Sequence, residues 1–155
     1  MISKKLISIK DLAPVIEEMV NAGTNVKFTI TGNSMLPLFA HRRDQVTVAK
    51  SDNISKYDIV LHKRADGTYI LHRVISVKNG ILTIAGDNET AREHNVSKSQ
   101  VIAKVISFER KGKEISVNNL LYKIYSRIWL MIFPFRHFVL GILIPVRRLL
   151  GEKKQ

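Results

Sequence analysis

The chain has 155 residues, 45% hydrophobic and 25% charged, enough for one domain with its own core plus a short appendage, and not the composition of a disordered chain. It contains no cysteine, which excludes disulfides, a thiolate nucleophile and a cysteine-held metal, so covalent chemistry must use oxygen or nitrogen. A net charge of +12 calls for a polyanionic partner, either nucleic acid or an anionic membrane surface.

Met1 to Lys10 is short, mixed and charged and is not followed by a long apolar run. No N-terminal signal peptide or anchor is therefore expected, and the protein is placed on the cytoplasmic side. Asp11 to Ala22 has the spacing of an amphipathic helix, with Leu12, Val15, Ile16, Met19 and Val20 on one stripe, Ser8 or Asp11 to cap it and Gly23 to end it. From Val26 to Val117 the pattern changes to short alternating runs: Val26–Ile30, Gln45–Ala49, Asp58–His62, Tyr69–Val77, Ile81–Ala85, Val101–Glu109 and Glu114–Val117. Ala65 to Thr68 and Lys78-Asn79-Gly80 are turn signals between them, the second a strong hairpin signal. Seven short strands without intervening helices predict a mainly β fold, a compact coiled antiparallel sheet or barrel, with residues 1–117 as one domain.

Residues 118–155 form a second, basic amphipathic segment. Between Leu120 and Gln155 seven basic residues (Lys123, Arg127, Arg136, Arg147, Arg148, Lys153 and Lys154) face one acid, Glu152, so half of the excess charge lies on an otherwise apolar stretch. This favours an anionic membrane surface over nucleic acid. Pro134, Arg136 and His137 interrupt the apolar run below the roughly 20 residues a spanning helix needs. Two helical pieces kinked at Pro134 are expected, lying in the headgroup region with Tyr122, Tyr125 and Trp129 at that depth. The competing reading is a helical pair covering the β-domain or a dimer interface.

Three polar segments lie within the β region. Ser34 sits in Thr31-Gly32-Asn33-Ser34-Met35-Leu36-Pro37, a turn able to hold a hydroxyl exposed and fixed in direction. His72 lies on a strand between apolar neighbours, and Asp87 follows in Gly86-Asp87-Asn88. Each has an ordinary structural explanation; together they compose a serine nucleophile, a histidine base within about 2.6–3.2 Å of it and a carboxylate that orients the imidazole. Such a base would give a rate inflecting near its ordinary pKa of about 6.5. His41 and His62 read as solvated loop and solvent-facing strand residues, while His94, Lys63 and Lys104 are further rival bases. The five histidines show no metal-ligand spacing, so neither a metal nor another cofactor is expected.

Gly32 to Pro37 with Asp44 and Val46 to Val48 resembles the nucleophile box of the signal peptidase I superfamily, to which self-cleaving phage-type repressors also belong. Asp58-Ile59-Val60, His72-Arg73-Val74 and Gly86-Asp87-Asn88 resemble the next boxes in the same order, so the likeness covers Val26 to Ile106. Histidine where most bacterial members carry lysine makes the chain similar to the endoplasmic-reticulum and archaeal type. The resemblance implies Ser34 as nucleophile, His72 as general base and Asp87 as orienter, with the Ser34 N–H as oxyanion donor and Gly32, Asn33 and Met35 as the surrounding loop. It departs from the family in having Gly32 where a hydroxyl is common, Arg43 before Asp44, and no clear second acid, although Glu93 is near. It implies a serine endopeptidase cutting an extended segment of a peptide or precursor protein, with small residues before the scissile bond. The alternatives are a self-cleaving or non-catalytic regulatory domain, for which about 25 residues before the first strand are too few for a helix-turn-helix module, and a basic membrane-surface adaptor.

Overall fold

The computed structural model describes residues 9–136 together with 138, 141 and 142. Helix α1 (Ile9–Asn21) is followed by β1 (Val26–Thr29), β2 (Gln45–Ala49), β3 (Ile59–Lys63), β4 (Tyr69–Lys78), β5 (Ile81–Ala85), β6 (Glu93–Ser97), β7 (Val101–Arg110), β8 (Lys113–Ser116) and α2 (Leu120–Met131). The strands form one antiparallel sheet in the order β1-β2-β7-β3-β4-β5-β6, with β8 on β7. The fold is thus mainly β and antiparallel, and the sheet is open rather than closed into a barrel. Register shifts between Thr47 and Val48, Leu61 and His62, Val74 and Ser76, and Leu82 and Ile84 add local twist to the sheet.

Strand β7 joins the two ends of the sheet. Lys104 to Glu109 pair with β2 on one edge, while Val101 to Lys104 pair with β3 and Ser107 to Arg110 with β8 on the other. The β4–β5 hairpin turns through Asn79 and Gly80, both at positive φ (49° and 77°), the geometry that matches the twist of adjoining strands. β6 escapes the alternation rule because Val96 is its only buried residue and Asn95 sits at φ 62°.

In α1 the buried stripe is Ala13, Ile16 and Val20, whereas Val15 and Met19 are 50% and 40% exposed. Gly23 closes the helix at φ 84°, and Ser8 lies outside the described residues. Ile16 and Val20 enter a core with Phe28, Val46, Leu61 and Phe108. A second, smaller core on the other face contains Val60, Val74, Leu82 and Ile84. Successive residues of β3 therefore feed different cores, which buries this central strand on both faces.

α2 packs against the sheet through Tyr122, Ser126 and Trp129, all buried. The aromatic residues expected at headgroup depth thus face inward: Tyr122 and Trp129 are buried, and Tyr125 stacks on Trp129 at 5.9 Å. Pro134 lies in a 3-10 turn, Phe133–Phe135, after which Arg136 turns into the protein at 1% exposure. The second helical piece expected after Pro134 lies mostly outside the described residues. Among them no helix is long and apolar enough to cross a membrane.

Candidate active site

Ser34 lies on the loop between β1 and β2. Gly32 has φ 98°, where any side chain would be strained, and its N–H donates to His41 Nδ1 at 2.7 Å. His41, expected to be simply solvated, is thus a brace for the loop. Met35, Leu38 and Phe39 are buried and fix the loop in the core. Downstream, the buried Asp44 accepts from the Ala40 N–H and from two Arg43 nitrogens, each at 2.8 Å. Burial works to raise its pKa, but the Arg43 and Ala40 hydrogen bonds outweigh it and hold the carboxyl below its ordinary range. The Ser34 N–H has no acceptor among the described residues, which leaves it free to meet a developing oxyanion.

His72 lies on β4 opposite Val60, and His62 on β3 opposite Ile70. The two histidines are diagonal neighbours on one face, with ring centroids 6.2 Å apart. His62 follows Val60 to that face and is fully buried, not solvent-facing as the sequence suggested. Burial is the main cause that pushes the His72 pKa down to about 4, with His62 and Arg64 adding to it. Burial also lowers His62, against the nearby Glu93 carboxylate at 3.6 Å. Both imidazoles are neutral at pH 7. Ser34 and His72 line one cleft of about 220 Å³ together with Ile30, Met35, Tyr69 and Glu89, but no hydrogen bond joins the two side chains, so the direct contact expected of a nucleophile and its base is not made in this structure.

The structure does not bring Asp87 to His72. Both Asp87 oxygens accept from Arg73, Oδ1 from Nε at 2.7 Å and Oδ2 from Nη2 at 2.8 Å, with each residue 1% exposed. The reason is the pleat: Arg73 and His72 are adjacent and so point to opposite faces, and Arg73 pairs with Ala85, from which the chain runs on to Asp87. Burial opposes the Arg73 charge, and the Asp87 carboxylate more than offsets it, raising the pKa. The carboxylate beside His72 is instead Glu89, whose Oε2 lies 3.5 Å from Nε2. His72 Nδ1 is buried without a partner among the described residues.

Gly86 to Glu89 is a tight turn, closed by the Glu89 N–H on the Gly86 carbonyl at 3.1 Å. It grips the Ser34 backbone directly: the Asn88 N–H donates to the Ser34 carbonyl at 2.7 Å, and a Cβ on Gly86 would sit 2.5 Å from that same oxygen. Glycine is required here for close approach of two backbones. The Gly86-Asp87-Asn88 box thus serves Ser34 by backbone contact and Arg73 by charge.

The rival bases stand elsewhere. Lys63 lies 3.7 Å from Glu17, Lys104 3.4 Å from Asp58, and His94 is exposed beside Thr83. Glu93 pairs with Arg64 at 2.7 Å. His137 lies outside the described residues. Among those residues no group of three or more His, Asp or Glu could hold a metal ion. Sequence reasoning missed Glu89 beside His72 and Arg73 on Asp87. Only Arg73, adjacent to His72 in its box, carried a signal.

Neither curated proteins nor solved structures gave a match. The family model described as Peptidase S24-like matches residues 4–106, about two thirds of the chain. That span contains Ser34, His72, the 86–89 turn and β1 to β6, and on it the chain belongs to the Peptidase S24-like family, with the fold of a serine peptidase.

Proposed function

We infer that the protein is a serine endopeptidase of the signal-peptidase type, cutting a signal or leader segment from a precursor. The observation that carries this reading is the shared cleft: Ser34 and a buried, neutral His72 line the same cavity, under a nucleophile backbone clamped by Asn88. In the reaction the Ser34 hydroxyl oxygen attacks a peptide carbonyl while His72 takes its proton. The C–N bond then breaks as His72 returns that proton to the leaving amine. Water, deprotonated by His72, opens the Ser34 ester and regenerates the hydroxyl. The Ser34 N–H faces the oxyanion, and Glu89 stabilises the imidazolium by charge. Burial makes neutral His72 available as a base at physiological pH but weakens its proton affinity, and a nearby carboxylate compensates as charge forms. Among the described residues β1 ends the sheet order, and Phe28 and Ile30 at that end line the cleft, so the outer edge of β1 offers an extended substrate a strand to pair with.

The same reading places the enzyme on an anionic membrane surface through α2. Leu121, Ile124, Ile128, Met131, Phe135, Phe138 and Ile142 recur at alternating spacings of three and four, and all are exposed. No acidic residue occurs between Glu114 and Glu152, while Lys123 and Arg127 are exposed on α2. A second copy would set cation against cation, whereas an anionic lipid surface complements both the apolar stripe and its charge. The substrate on this account is a leader segment presented near the membrane, on the cytoplasmic side.

The test is to incubate the protein, and Ser34→Ala, with a diverse peptide pool and to read the products by mass spectrometry. Products that depend on Ser34 are expected; the absence of any at neutral or mildly alkaline pH contradicts the enzyme reading.

A further inference from the structure

The residues matched to the family end at 106, and α2 begins at Leu120. This later segment nevertheless holds one of the two loops that frame the cleft and reaches the other through the core. Trp129 Nε1 donates to the Asp87 carbonyl at 3.2 Å. Arg136 Nη1 donates to the carbonyls of Gly86 and Glu89, each at 3.0 Å, and Nη2 to that of Trp129 at 3.4 Å. The Gly86 and Glu89 carbonyls belong to the two ends of the turn whose Asn88 amide grips Ser34. The Arg136 guanidinium lies 4.0 Å from the Phe133 ring centroid and 5.3 Å from that of Trp129. No carboxylate pairs with it among the described residues, so a buried cation is committed to carbonyls and ring faces.

A second route reaches the other loop. Tyr122 meets Phe108 edge-on at 5.2 Å, and Phe108 meets Phe39 in the same way at 5.2 Å. Phe39 donates its N–H to the Met35 carbonyl, one residue beyond Ser34. Between the two routes, Arg73 Nη1 donates to Ser126 Oγ at 3.1 Å and Tyr122 Oη at 3.3 Å.

We propose that α2 with Phe133–Arg136 is a positioning element of the catalytic cleft, in which Trp129 and Arg136 set the 86–89 turn and through it the backbone of Ser34 and the carboxylate of Glu89. The proposal rests on the reading of Ser34 and His72 as the reacting pair. Nη1 bridges the two ends of the turn while Nη2 reaches the Trp129 carbonyl, so one planar guanidinium ties the turn to α2 through two nitrogens held in a fixed plane, which the single nitrogen of a lysine ammonium cannot reproduce. The turn is shaped from outside by a segment whose other face is apolar and exposed.

The experiment compares the full chain with Arg136→Lys and Trp129→Phe, substitutions that keep the charge and the ring. The first readout is hydrogen exchange at the Asn88 and Glu89 amides, which needs no activity. The second is the rate at which Ser34 reacts with a serine-directed phosphonate, together with kcat and KM on a cleaved peptide. Exchange at these two amides should accelerate at least tenfold while the amides of β3 and β4 keep their protection. Phosphonate reaction and kcat should fall at least tenfold with KM unchanged. Unchanged exchange, or exchange accelerated equally throughout the sheet, overturns the positioning role. A reactive wild type whose variants react equally well overturns it too and leaves the enzyme reading standing, whereas an unreactive wild-type Ser34 overturns both.

Discussion

The Asn88 amide donates to the Ser34 carbonyl at 2.7 Å, and the chain approaches so closely beside it that a Cβ on Gly86 would stand 2.5 Å from the same oxygen. Two segments some fifty residues apart thereby fix the backbone of the candidate nucleophile between them, one anchored by Met35 and Phe39 in the core and the other by Trp129 and Arg136.

Gly86→Ala should therefore damage activity more than stability. The added methyl meets a backbone oxygen, which cannot rotate away, and the Glu89 side chain at 3.0 Å. A displacement of about 1 Å at a reacting group costs on the order of a hundredfold in rate. The expected outcome is a drop of that order in kcat/KM on a cleaved peptide, with a thermal midpoint lowered by only a few degrees. Unaltered kcat/KM would show that the approach of the two backbones does not set the nucleophile.

Asp87→Asn separates two roles for this carboxylate. If it neutralises Arg73, the variant leaves a buried guanidinium without its counter-charge and should lose about 3–5 kcal/mol of stability. Tyr57, Tyr122 and Ser126 remain as neutral acceptors for Arg73 but do not replace the charge. Chemical denaturation measures the loss directly. An orienter of His72 would instead lower kcat with stability intact, a result the present geometry does not predict.

The pH dependence follows from burial. An imidazole with its pKa near 4 is already neutral well below pH 7, so the rate limb for Ser34 acylation should inflect near 4 and not near 6.5. Stability moves with it: the unfolded chain takes up a proton on this histidine near 6.5 and the folded protein only near 4. The stabilisation is complete above about pH 6.5 and declines by up to about 3 kcal/mol as the pH falls toward 4. His62, lowered in the same direction, steepens the decline. Denaturation at a series of pH values checks this, with His72→Asn expected to flatten the slope. A rate limb at 6.5 would mean that water reaches the ring far better than its 3% exposure allows.

Most of the framework was legible in the sequence, because half-buried antiparallel strands alternate and turns carry Gly and Asn. β1, β2, β4 and β5 and the Asn79-Gly80 hairpin were read within a residue or two. β6 was not, since Glu93-His94-Asn95-Val96-Ser97 buries Val96 alone. His62 looked exposed because alternation assumes one wet face, and β3 has none over its first four residues. The assignment of Asp87 to His72 failed at a finer level: a one-residue step along β4 exchanges the faces, and only the register with β5 shows which neighbour meets the carboxylate. Trp129 and Arg136 were beyond reach, because contacts across 42 and 50 residues leave no periodic trace. Their aromatic and basic character suited a lipid interface equally well.

The outward face of α2 supplies a separate expectation. Ile128 and Met131 are 54% and 76% exposed, and burying such side chains in a bilayer interface contributes about 1.5–3 kcal/mol each. Ile128→Glu with Met131→Glu should weaken binding to phosphatidylglycerol vesicles by at least tenfold in a sedimentation assay, and added salt should weaken the wild type further. Equal binding of the variant, or a concentration-dependent dimer in the absence of lipid, would assign this face to another partner.

Acylation of Ser34 with His72 as its base is the step on which the proposed activity rests. Mapping a covalent phosphonate adduct by tandem mass spectrometry tests it at the reacting atom. Modification is expected at Ser34 in the wild type, none in Ser34→Ala, and a rate lowered about 10²- to 10⁴-fold in His72→Ala. An adduct on another residue, or one on Ser34 that forms equally fast without His72, would contradict it.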